Sequence, residues 1–183
     1  MAARHLGECA SGEPQRNAGR GGRLTASVCH ARRVAAAARA SSADSLGAWL
    51  LKARGAEPET QAHVRSAFVD VETRCVRPSY RTDLVVAGQP ALLWVSGNAP
   101  GLPAGIYAHG RTTGLASDGA IPVRLSPLLP PLLRSELLGH PVLSGMEVLR
   151  MPAGSNPSYV TRGQLAALTH LRPDLGGGPP SPG

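Results

Sequence analysis

The apolar stretches of this chain are short, and that limits its possible folds more than any other feature. AWLLKAR (48–54), VDVETRCVR (69–77), ALLWVSG (91–97), AGIYAHGRT (104–112), AIPVRLSP (120–127) and GMEVLRMP (145–152) are each soon closed by glycine, proline or charge. Two of them alternate with the period of two that marks a half-exposed strand. In one, Val69, Val71, Thr73 and Cys75 share a side; in the other, Ile106, Ala108 and Gly110 oppose Tyr107, His109 and Arg111. ALLWVSG and AGIYAHGRT, joined by NAPGLP (98–103), read as a hairpin with a long loop.

Helical signals are few. GAEPETQAHVRSAF (55–68) reads as a loop and a short helix, with Pro58 suited to the first turn. PSYRTDLV (78–85) is a turn or short helical connection, and LLPPLLRSELLGHPVL holds one short helix around Arg134 to Leu138. TRGQLAALTHL (161–171) is a helix that Thr161 can cap. Five or six short strands with two or three short helices predict an α+β domain, a small mixed β-barrel with peripheral helices. The helices are too few for regular βαβ crossovers.

The chain has 183 residues, enough for one domain plus tails. Residues 1–45 are rich in Arg, Ala and Gly and poor in large apolar side chains, so they read as a disordered extension that faintly mimics a transit peptide. A short helix over VCHARRVAAAARA is compatible with its composition. The barrel is expected over 46–172, and a disordered Gly/Pro tail over 173–183. The formal net charge is +7, but residues 47–172 carry twelve Lys and Arg against eight acids, only a mild excess. Charge alone therefore identifies no nucleic-acid binder. Three widely spaced cysteines and six histidines lack both disulfide and metal-ligand spacing. No apolar run approaches the ~20 residues of a membrane helix. The expectation is a soluble, cytoplasmic protein without metal or other cofactor.

Five segments in order, AWLLK, VRPSYRTDLV, GQPALLWVSG, AGIYAHGRTTG and LRMPAGSNPSYVTRGQLAAL, together resemble the EVE domain family over residues 46–171. The likeness is to the compact, stand-alone bacterial members. It implies a PUA-like barrel related to YTH and ASCH domains. It also implies binding of DNA or RNA carrying a modified base of the 5-methylcytosine type, with no turnover and with defence-system proteins as possible partners. Cys75 stands near where many relatives carry a tryptophan. The aromatics are Trp49, Phe68, Tyr80, Trp94, Tyr107 and Tyr159.

An extruded base needs a flat apolar wall and a few fixed polar groups for its edge. Trp94, Trp49 and Tyr80 are the wall candidates, although both tryptophans are equally readable as barrel core. Ser96, Ser155 and Asn156 are candidates for the base edge, the latter two also suiting a turn that bonds its own backbone. Arg77 and Arg81 are candidates for phosphate; Arg77 could instead pair with Asp83 or Glu72. Ser96 with His109 forms no recognisable nucleophile motif. Two alternatives remain open: a small ASCH-like enzyme cleaving RNA or an amide, using an acid such as Glu72, Asp83 or Glu147, and a protein-interaction module.

Overall fold

Strand β1 (Leu46–Arg54) is apolar on both faces, and both faces are covered: Ala48, Trp49, Leu50, Leu51 and Ala53 are all buried. In the computed structural model, which describes residues 45–97 and 99–176, this strand pairs in parallel with β3 (Pro90–Ser96) and antiparallel with β6 (Ser158–Thr161). From β3 the sheet continues antiparallel through β4 (Gly105–Thr112) and β5 (Ala120–Leu133) to the short edge strand β2 (Thr73–Cys75). The order is β2-β5-β4-β3-β1-β6, curled into a half-barrel. The helices among the described residues are short: α1 (Pro58–Arg65), α2 (Arg134–Leu138), α3 (Glu147–Arg150) and α4 (Arg162–Leu171). This is the expected α+β, barrel-like architecture.

The two faces of the sheet hold separate cores. Trp49, Leu51, Leu93, Val95, Ile121 and Val123 fill the curl, joined by Phe68, Val71 and Val76. Ala48, Leu50, Leu92, Trp94 and Ile106 look outward, where Leu137, Met146, Val148, Leu149 and Leu168 cover them. Burial of each large aliphatic side chain contributes about 1.5–3 kcal/mol. Alternation therefore sends the two indoles to opposite sides of the sheet.

Several expectations change. The anticipated strand over 69–77 shrinks to Thr73–Cys75, because Ala67 and Phe68 adopt φ of +53° and +62° and turn the chain back, leaving Val69 exposed. In β4 a register shift between Ile106 and Ala108 puts Tyr107 and Ala108 into the inner core together. Ile106 is then outward, whereas regular alternation would place it with Ala108. Residues 145–152 form a turn and α3, not a strand; Leu143, Met146 and Leu149 recur every third residue and are buried together. β5 runs on through its prolines to Leu133, since the extra residues between Pro127, opposite Ala108, and Leu132, opposite Ile106, bulge from the ladder. SYVT at 158–161, for which no strand is expected from the sequence, is edge strand β6. Thr161 caps α4 as expected, its hydroxyl accepting from the Gln164 amide at 3.2 Å.

Of the expected tail, residues 173–176 form a 3-10 turn in which Leu175 packs on the outer core. Arg172 pins it, donating to the Leu129 and Pro130 carbonyls and to Asp174. The helix anticipated at VCHARRVAAAARA, the rest of the extension up to residue 44, and residues 177–183 lie outside the described residues.

Candidate functional site

The outermost strands, β2 and β6, meet at a seam that one residue holds. Asn156, just before β6, accepts the Lys52 amide on Oδ1 at 3.0 Å and donates from Nδ2 to the Cys75 carbonyl at 3.2 Å. Its own carbonyl accepts the Arg77 amide at 3.1 Å. β1, the end of β2 and the approach to β6 are thus stitched through one side chain and one peptide, where no ladder pairs the two edges.

Polar and aromatic groups collect along this seam. The Arg81 Nη1 donates to both Glu147 oxygens, at 3.0 and 2.8 Å, and to the Pro157 carbonyl at 3.3 Å. Its Nε donates to the Tyr80 hydroxyl at 3.3 Å. The guanidinium carbon lies 5.8 Å from the Tyr80 ring centre and 5.4 Å from that of Tyr159, within cation–π range. Both members of the ion pair retain 14% exposure. Burial pulls the Arg81 pKa down, but hydrogen bonds to Tyr80 and Glu147 and the Glu147 charge outweigh it and raise it. Lys52, the sole lysine, donates to the carbonyls of Pro152 and Gly154 at 3.2 and 3.1 Å. Burial lowers its pKa, Glu147 opposes that shift, and Arg81 adds to it.

The anticipated site residues divide. Tyr80, Arg77, Arg81, Ser155 and Asn156 come together at the seam. Trp49 and Trp94 do not: they are 1% and 3% exposed, in the inner and outer cores respectively, so they cannot wall one pocket. The Trp49 indole donates to Gln89 Oε1 at 2.6 Å, and Gln89 in turn ties Leu84 and Val86, a structural use. Ser96 fastens two strands, donating to the Ala53 carbonyl at 3.0 Å. Arg81 is committed to Glu147 rather than open to phosphate, and both ends of the Asn156 amide are engaged by the protein itself. Arg77 is exposed and makes no ion pair with Asp83 or Glu72 among the described residues. Tyr80 is 44% exposed, and Ser155 is exposed.

Sequence reading missed Tyr159 and Lys52. Tyr159 lies in an edge strand that has no alternating run to announce it. Lys52 could have been noticed as the one lysine among eighteen arginines. His109, opposite Leu92, stands four residues along the ladder from Ser96, roughly 13 Å at 3.3 Å per residue, so the two make no nucleophile–base pair. No group of His, Cys, Asp and Glu among the described residues could hold a metal ion, and no described helix is long and apolar enough to cross a membrane.

No family model and no curated protein matches this chain. Two solved structures are similar in fold. A hypothetical protein from Leishmania major aligns with a TM-score of 0.55 and 13% identity, covering 74% of this chain and 99% of the other. A Rhodopseudomonas palustris protein solved by NMR aligns with a TM-score of 0.52 and 16% identity, covering 71% and 95%. At such identities the likeness concerns the fold alone.

Proposed function

We propose that the chain is a binding module for nucleic acid, engaging an unstacked base at the seam, and that it catalyses nothing. The observation that carries this reading is the half-exposed Tyr80 ring at the same seam as exposed Ser155 and exposed Arg77, which makes no ion pair among the described residues. A tyrosine face accepts any base by stacking, worth about 1–3 kcal/mol, and a free guanidinium grips phosphate with paired hydrogen bonds. The resemblance to EVE domains supplies the further proposal that the base is a modified cytosine or a similar base. With Asn156 engaged, Ser155 and the backbone of the 152–155 loop are the groups left to read its edge. The seam is poor in groups able to move protons: Glu147 is held by Arg81 and Lys52 by two carbonyls, which favours binding over RNA or amide cleavage.

The test compares oligonucleotides that differ only in one base modification, each at two salt concentrations. Tyr80→Ala should weaken binding by roughly 5- to 150-fold and lower the melting temperature only slightly, since Arg81 loses the Tyr80 hydroxyl and ring but keeps Glu147 and the Pro157 carbonyl. Arg77→Ala should weaken all sequences alike and reduce the salt slope by about one. Equal, weak affinity of wild type and both variants for every oligonucleotide would overturn the proposal.

A further inference from the structure

A second group of cations lies on the outer face of β4 and β5, away from the Arg81 cluster. Here Arg111 stands directly opposite Arg124 in the strand register, and both are exposed. Side chains so paired point to the same side with Cβ atoms roughly 4.5–5.5 Å apart, and like charges in that relation repel. No acid offsets them: the carboxylates in ion pairs among the described residues are those of Glu57, Glu59, Glu147 and Asp174, all with other partners.

Arg111 is also held in place. Arg111 Nη1 donates to the Gly88 carbonyl at 2.8 Å, which fixes the guanidinium and leaves Nε and Nη2 for a ligand. Between the strands, Gly110 lies so close to β5 that a Cβ there would overlap the Arg124 carbonyl oxygen. Two residues along the same face, His109 stands opposite Ser126. The result is two exposed guanidinium groups on paired strands, the Arg111 one fixed, able to converge on one tetrahedral anion, with a hydroxyl and an imidazole on the same face.

We propose that Arg111 and Arg124 form a second anion site, which takes a phosphate group. That the phosphate belongs to a nucleic-acid backbone rests on the function proposed above; the phosphate site itself does not. The experiment follows the arginine Nε–Hε signals by NMR while inorganic phosphate is added, with chloride at equal ionic strength as control. In parallel, affinity for a single-stranded thymidine dodecamer is measured across salt for wild type, Arg124→Gln and Arg111→Gln.

Phosphate, and not chloride, should shift the Arg111 and Arg124 signals and raise the melting temperature of wild type but not of Arg124→Gln. Arg124→Gln should weaken dodecamer binding about three- to tenfold and lower the salt slope by about one. The same loss should appear with an abasic dodecamer, which separates this site from Tyr80. Phosphate shifts without any dodecamer binding would sink the nucleic-acid reading and keep the site as one for a free phosphate ester. Absence of phosphate shifts, together with unchanged dodecamer affinity and slope in both variants, would overturn the site.

Discussion

The seam and the outer face of β4–β5 both carry arginine, and they treat it in opposite ways. At the seam Arg81 has an acid, a carbonyl and two tyrosine rings, and it serves the fold. On the outer face Arg111 and Arg124 face each other, and neither has an ion-pair partner among the described residues. A satisfied cation is architecture, because removing it strands its partner. An unsatisfied one costs the fold something and is available to a ligand. Counting arginines in a sequence cannot separate these two conditions.

The largest expected effect is therefore at the seam. Glu147→Gln leaves Arg81 half-buried without its counter-charge and should cost about 3 kcal/mol, lowering the melting temperature by roughly 10 °C. A loss below about 0.5 kcal/mol would mean that Arg81 is as free as its outer-face counterparts, and the contrast would fail. Asn156→Ala removes the partner of the Lys52 amide and of the Cys75 carbonyl, and should cost about 2 kcal/mol in urea unfolding. Asn156→Asp should recover little, because it turns an oxygen towards the Cys75 carbonyl.

The smallest effect concerns pH. Burial, against the opposing charge of Asp174 and with that of Arg172, holds the His109 pKa below its ordinary 6.5. The unfolded chain then binds the proton more readily than the folded one. His109 thus contributes its stability in full above pH 6.5 and loses it as pH falls through the lowered folded value. Melting temperature should drop between about pH 7.5 and pH 5, and His109→Gln should flatten part of that slope. An unchanged slope would show that His109 is open to solvent like the arginines beside it.

Much of the sheet was legible because β1, β3 and β4 announce themselves locally: dense apolar runs, a glycine-rich loop, and alternation. The C-terminal helix was legible from Thr161 and the Gln three residues on. What was not legible depends on partners distant in sequence. Whether Trp94 stacks on a ligand or joins the outer core is decided by which way β3 faces, and a run apolar on both sides conceals that. The bulge at Tyr107 appears only in its pairing with β3 and β5, which both skip it, not in the residues around it. The Arg–Tyr segment at 77–81 meets Asn156 in the fold, and Arg81 reaches Glu147, 66 positions away; no local pattern encodes either pairing.

Asn156 joins segments about eighty and a hundred positions away through three hydrogen bonds. In amide-exchange terms, the Lys52 and Arg77 protons are guarded by the same event, release of that asparagine. They should exchange as a pair, sooner than the buried amides of β3, and the sheet should be able to part along this line while the rest of its ladder stays protected.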